Sequence, residues 1–294
     1  MDAITDADYI SQLIGERLID RGLLQAPVSL QRYSQGAGVP DSKIVFLSKG
    51  KHGLVVTISP ALFPEIVAEE WLKAAQMRSH LGELGAPILE PLDAGRIQAV
   101  SYVVVPYREP LSRLRGLRWL DRIRIRHHLL AWLLQVARRS TVCALSRYEG
   151  ALKALWDALP ADSPAAALLR TAEKRLISGS FAPRTTPMHG DLWKGNVLHG
   201  SGSTPFTLVD WRGSETHGFP VFDLVRAARS FGLSSRLLRR ELQLHQAALG
   251  CQVEDLPLYL LAALGHYAAR RGEMPLKLLR AMINGCVRCL TPAL

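Results

Sequence analysis

Residues 188–224 read MHGDLWKGNVLHGSGSTPFTLVDWRGSETHGFPVFDL, and this stretch decides the fold. Val197-Leu198-His199 and Phe206-Thr207-Leu208-Val209 are short apolar-leaning runs on either side of GSGST, the pattern of a β-hairpin. A hairpin brings its ends together. It therefore sets Asn196, just before the first strand, beside Asp210, just after the second. Asp191 lies five residues upstream of Asn196, on the loop leading into the same spot. Hard divalent cations such as Mg²⁺ take oxygen ligands, usually one or two from the protein and the rest from water and substrate phosphates. A carboxylate and an amide on a metal, with a further carboxylate facing a nucleophile, is the division of labour that phosphoryl transfer to a hydroxyl requires.

Working outward, the chain changes character near PYREP, residues 106–110. Before it, residues 5–24 read as an amphipathic helix with Ile10, Leu13, Ile14, Leu18 and Ile19 on one stripe. Candidate strands follow at 29–35, 43–48, 53–58, 97–100 and 101–106. One helix interrupts them at 65–81, with Ile66, Leu72, Ala75 and Met77 as its inward positions. After it, helical patterns dominate at 117–139, 150–158, 164–177, 234–249, 255–271 and 275–289. A Gly- and turn-rich region at 185–225 is embedded among them.

His189-Gly190-Asp191-Leu192-Trp193-Lys194-Gly195-Asn196 resembles the H-x-D-x-x-x-x-N catalytic loop of aminoglycoside phosphotransferases, choline kinases and fructosamine kinases, distant relatives of protein kinases. Asp210-Trp211 sits where those families carry their metal-binding Asp, and Gly218-Phe219-Pro220-Val221-Phe222-Asp223-Leu224 is similar to their G-x-P-x-x-D-L segment. The resemblance implies an α+β, two-lobed protein-kinase-like fold. A small antiparallel β N-lobe would occupy 1–107, and a larger helical C-lobe with the substrate site 108–294. It further implies that Asp191 is the catalytic base, that Asn196 and Asp210 hold Mg²⁺, that Asp223 braces the loop through hydrogen bonds, and that His189 orients it. Lys194 is the cation best placed for the transferring phosphate. The cofactors are then ATP, or another NTP, and Mg²⁺; the partner is a small-molecule hydroxyl acceptor.

The N-terminal lobe departs from the pattern. Ser34-Gln35-Gly36-Ala37-Gly38, followed by Ser42-Lys43, lies between the first two strands, where a nucleotide-covering loop belongs. Glycines there let backbone N–H groups approach phosphates. Equally, the run reads as a Gly-rich turn. Glu69 or Glu70 is the acid expected to pair with a phosphate-gripping Lys, but the third strand reads Leu54-Val55-Val56-Thr57-Ile58, with Thr57 at the Lys position. Lys43, Lys49 and Lys51 are the neighbouring cations able to substitute. The alternative is a pseudo-kinase with a nucleotide-sensing or scaffolding role.

Composition narrows the acceptor. The chain has 294 residues and a formal net charge of +10, with 48% hydrophobic residues, as expected of a folded globular protein. From 225 onward only Glu241, Glu254, Asp255 and Glu273 are acidic, against ten Lys and Arg. A polycationic acceptor wants clustered carboxylates, so a neutral or anionic molecule, sugar or glycan fits better. Residues 108–139 hold nine Arg and two acids, with Trp119 and Trp132 interleaved. They read either as a helix with a solvated basic face and a buried Leu-rich stripe, or as a surface for anionic membrane or glycan. No RNA-binding signature accompanies the charge, so nucleic acid is not expected. Four cysteines give no disulfide framework, and Cys286-x-x-Cys289 on a helix merely shares a face. With an acidic N-terminus and no membrane-length apolar run, the expected location is cytoplasmic, with the inner membrane face as a peripheral site.

Overall fold

Val100–Pro106 shows why a sheet forms: its β-branched and aromatic residues alternate between two apolar layers. In the computed structural model, Tyr102 and Val104 join a buried cluster with Leu54, Val56 and Ile58, whereas Val103 and Val105 join another with Val67. The structure describes residues 3–25, 28–34, 42–48, 53–111, 115–160, 163–270 and 275–294; for 3–8, 11, 28–34, 42–48, 115–119 and 164 it describes the backbone only.

Five strands form an antiparallel sheet in the order β1-β2-β3-β5-β4: β1 (Val28–Ser34), β2 (Ser42–Ser48), β3 (Gly53–Ile58), β4 (Asp93–Ile97) and β5 (Val100–Pro106). Helix α1 (Ala3–Asp20) lays Ile10, Ile14 and Leu18 on one face. Its end is pinned where Arg17 and Arg21 pair with buried Asp93, which also accepts from Tyr102 Oη at 2.9 Å. Helix α2 (Ile66–Leu81) covers the other face through Val67 and Trp71. Its first free amides are capped by the sheet: Val67 N donates to Ser59 Oγ at 3.1 Å and Ala68 N to Ser101 Oγ at 3.2 Å.

Two sequence expectations need correcting here. Leu72 of α2 is 60% exposed and Ala75 is also exposed; the inward stripe is Val67, Trp71, Ala74, Met77 and Leu81. Contact with the sheet sets that face, one residue away from the periodicity estimate. The strand expected at 97–100 is instead the turn joining β4 to β5, with Gln98 at φ 55°. Edge strand β4 escaped notice because DAGRI has no apolar alternation.

The helices are α3 (Arg115–Arg138), α4 (Leu145–Ala158), α5 (Pro164–Ile177), α6 (Phe222–Phe231), α7 (Ser235–Leu249), α8 (Leu256–Ala269) and α9 (Leu276–Leu290). Short strands β6 (Thr141–Val142), β7 (Arg184–Met188) and β10 (Glu215–Gly218) make a second sheet in the order β10-β7-β6, and β8 (Val197–His199) pairs with β9 (Phe206–Leu208) as the hairpin. Helix α8 is apolar nearly all round, as a central helix must be. It packs on α4 so closely that a Cβ on Gly265 would meet Ala151 O at 1.9 Å. The stripe Ile125, Leu129, Leu130, Leu133 and Val136 of α3 is buried, and its Trp132 indole donates to Leu84 O at 2.8 Å. Cys286 and Cys289 share α9 as free thiols; burial pushes Cys286 up to about 11, an unreactive setting. Among the described residues no single helix is long and apolar enough to cross a membrane.

By compactness the chain forms two units: Met1–Gln76, Ala86–Pro110 and Leu198–Arg212, and Met77–Gly85, Leu111–Val197 and Gly213–Leu294. The hairpin segment 198–212, read from sequence as part of the helical lobe, thus groups with the first unit. Backbone bonds explain it: His199 N donates to Glu109 O and Leu208 N to Pro87 O, both at 2.9 Å.

Candidate active site

The loop after β7 is held by a face of α6. Asp223 is buried, and its carboxylate accepts from His189 N at 2.6 Å and from Gly190 N at 3.0 Å. Burial pushes its carboxyl up, against the His189 charge and those two amide bonds. One turn on, Arg226 pairs with Asp191 Oδ1, and a further turn on Ser230 Oγ accepts from Lys194 N at 2.6 Å. Positions 223, 226 and 230 have the i, i+3, i+7 spacing of one helical stripe. The backbone entering α6 is strained: Val221, β-branched and buried, sits at φ 72°.

From α8 the Tyr267 hydroxyl donates to Gly190 O at 2.9 Å. Burial, then the Asp223 and Asp191 charges, push that phenol far up, so it stays a donor. His189 is buried, and its Nδ1 accepts from Asp191 N at 3.3 Å.

The Asp191 side chain is 43% exposed and therefore accessible to a substrate. Asn196 Nδ2 donates to Asp191 O at 2.9 Å and to Oδ2 at 3.2 Å. Exposed Trp193 folds its ring against Gly195, where a Cβ would lie 2.4 Å away. The Lys194 side chain is half-buried.

The other expected residues belong to the first unit. Asp210 follows β9 at φ 69°, a region that Asp tolerates better than most residues, and the next residue, Trp211, donates its indole N–H to Leu208 O at 3.1 Å. Ser34 and Ser42 are register partners where β1 meets β2, and Lys43 lies directly across from Thr57 of β3. Thr57 is buried, and Glu69 is exposed in the first turn of α2. Gly36, Gly38, Lys49 and Lys51 lie outside the described residues. Among the described residues no group of three His, Cys, Asp or Glu side chains stands ready to hold a metal ion.

Sequence reasoning missed Arg226, Ser230 and Tyr267. The signal for the first two was available, since Asp223 begins a helix and the spacing assigns its face. It also missed Glu215, whose carboxylate lies 3.4 Å from His266 Nε2 and accepts from Arg270 Nη2 at 2.6 Å. The His266 contact and the Arg270 guanidinium hold Glu215 at about 2. A depressed carboxyl stabilises the fold above its unfolded value of about 4.5 and loses that contribution as pH falls towards 2. Glu215→Gln is therefore expected to melt below wild type at pH 7, with the gap narrowing steadily as pH falls from about 4.5 towards 2. A constant gap across that window would remove the argument.

A small antiparallel sheet followed by a mostly helical remainder, with a braced carboxylate loop set among the helices in sequence, is the plan of the kinase-like phosphotransferases. Residues 41–256 match the phosphotransferase enzyme family known as APH, and the chain belongs to that family. The fold agrees with solved structures. A thermostable mutant of the aminoglycoside phosphotransferase APH(4)-Ia, in ternary complex with AMP-PNP and hygromycin B, superposes with a TM-score of 0.56 at 15% identity, covering 92% of this chain and 98% of that one. Choline kinase LicA from Streptococcus pneumoniae gives 0.53 at 14% identity over 97% and 99%. Macrolide 2'-phosphotransferase MphH from Brachybacterium faecium gives 0.53 at 16% over 89% and 93%. No curated protein sequence matches the chain.

Proposed function

We propose that the protein transfers the γ-phosphate of ATP, or of another NTP, to a hydroxyl of a neutral or anionic small molecule, sugar or glycan, with Mg²⁺ as the metal. The observation that carries this reading is Asp191: a solvent-accessible carboxylate on a loop otherwise fixed by Asp223, Tyr267 and Ser230. A general base must be accessible yet held. The nucleotide is supported by family membership and by the AMP-PNP complex of APH(4)-Ia.

The donor set suits a hard cation. The Asn196 NH₂ is committed to Asp191, which leaves the amide oxygen as the atom to meet a metal, and the family resemblance assigns Asp210 as the accompanying carboxylate. Bound there, Mg²⁺ would neutralise charge on the phosphates. Lys194 is assigned to the transferring phosphate and His189 to orienting the loop.

The second reading, a pseudo-kinase, is favoured by one observation: Thr57 is buried on β3 where related enzymes carry the phosphate-gripping Lys. Register argues against it. Lys43 of β2 is the backbone register partner of Thr57. Lys43 is assigned that charge. The test is Mg²⁺-dependent thermal shift with ATP, followed by ATP turnover with and without EDTA. Wild type should bind and turn over only with Mg²⁺, and Lys43→Met should raise KM for MgATP by roughly tenfold or more. MgATP binding without turnover would establish the pseudo-kinase reading, and an unchanged KM would remove the assignment of Lys43.

A further inference from the structure

We infer that Arg226 of α6 is a positioning residue for Asp191. It holds one carboxylate oxygen so that the other is presented to the acceptor hydroxyl. The inference rests on the reading of Asp191 as the base and adds a component that the catalytic-loop motif does not contain.

Three observations carry it. First, the face of α6 that holds the loop by its backbone at Asp223 and Ser230 also carries Arg226, so α6 fixes both the loop and the working carboxylate on it. Second, the Arg226 side chain is only 18% exposed, and its Nε is buried without a hydrogen-bond partner among the described residues. Burying a guanidinium this far is costly unless it is paired, and Asp191 Oδ1 is its ion-pair partner among the described residues. Third, the two carboxylate oxygens are held unequally. Among the described residues Oδ1 takes the charge-assisted bond to Arg226, whereas Oδ2 has only a 3.2 Å bond from Asn196 Nδ2, whose shorter bond, 2.9 Å, goes to Asp191 O. Oδ2 is therefore the oxygen free to exchange its partner for a substrate hydroxyl.

The step then balances. The acceptor O–H bond breaks as its proton passes to Oδ2, and the oxygen's electron pair forms the new bond to the γ-phosphorus. The bridging P–O bond breaks and the nucleoside diphosphate leaves with its electrons. Arg226 touches neither the nucleotide nor the acceptor in this scheme. It acts through the direction in which Asp191 points, and a misplacement of about 1 Å at a reacting group can cost around a hundredfold.

The test is ATP turnover by Arg226→Met, Arg226→Lys, Asp191→Asn and the double variant Arg226→Met/Asp191→Asn, with melting curves for each. Arg226→Met should lose roughly ten- to hundredfold in kcat with KM for MgATP within about twofold, because the residue positions the base and does not bind nucleotide. Arg226→Lys, which keeps the charge without the planar fork, should fall between Met and wild type. The double variant should be no slower than Asp191→Asn, since Arg226 acts only through that carboxylate. If Arg226→Met fails to fold, the Lys variant and its own double with Asp191→Asn carry the same comparison.

Full multiplication of the two losses would overturn the inference, as would wild-type kcat in Arg226→Met. Equal turnover by wild type and Asp191→Asn would remove the reading of the base and this inference together. A loss in Asp191→Asn with none in Arg226→Met removes the inference alone.

Discussion

Asp191→Ala is expected to lower ATP-dependent phosphotransfer by about a thousandfold while leaving MgATP affinity within roughly threefold of wild type. The size follows from what a positioned general base contributes, typically 10²–10⁴ in rate. The split between kcat and affinity follows from where the residue sits. Asp191 projects from a loop that Asp223, Tyr267 and Ser230 hold by backbone atoms, so truncating its side chain removes none of those bonds. It does leave Arg226 without its ion-pair partner, so some loss of stability accompanies the loss of rate. Asp191→Asn separates the two effects, because the amide keeps the shape of the side chain but cannot take a proton. Both variants should show the same kinetic loss, with the Asn protein melting closer to wild type. If turnover in either stays within tenfold of wild type, Asp191 is not the base, whatever its resemblance to a catalytic loop.

The parts of this fold that were legible in the sequence are those where local pattern and tertiary contact agree. The β8–β9 hairpin could be read from two apolar runs around GSGST, and α4, α7, α8 and α9 from sustained apolar periodicity. Where the two part company, the sequence misled. Leu72 belongs to the apolar stripe of α2 by periodicity, yet it faces solvent because the β-sheet sits one residue round the helix. Helix α6 was hidden by its surroundings: it follows a Gly-Pro-rich run and enters through Val221 at a positive φ, a conformation that a β-branched residue does not advertise. That omission carried over to the site. Asp191, Asn196, Asp210 and Asp223 stand in the linear motif, but Arg226 and Tyr267 reach the loop only through the packing of α6 and α8. The i, i+3 spacing from Asp223 names Arg226 only once α6 is recognised, and no local pattern names Tyr267.

Gly190→Ala is expected to be severely damaging. Two costs add. At φ 87° a residue with a Cβ is strained, which costs about 1–2 kcal/mol on its own. The added carbon would also lie 2.2 Å from Gly213 O and 2.4 Å from the Tyr267 hydroxyl, far inside contact distance. The first of these neighbours is backbone and cannot rotate away. The second is the group that donates to Gly190 O, so relieving the clash means giving up that hydrogen bond. A further cost of about 1–3 kcal/mol follows from leaving a buried polar group unpaired. Gly179→Ala is the control. It shares a left-handed backbone, with φ 68°, but a Cβ there meets nothing within 4 Å. It should therefore show the backbone cost alone, about 1–2 kcal/mol or a fall of a few degrees in Tm. Gly190→Ala should fall at least twice as far and lose most phosphotransfer, because the shift originates next to Asp191. Equal melting temperatures for the two variants would mean that the loop does not pack against Gly213 and Tyr267 as described, and that Asp191 is held by α6 alone.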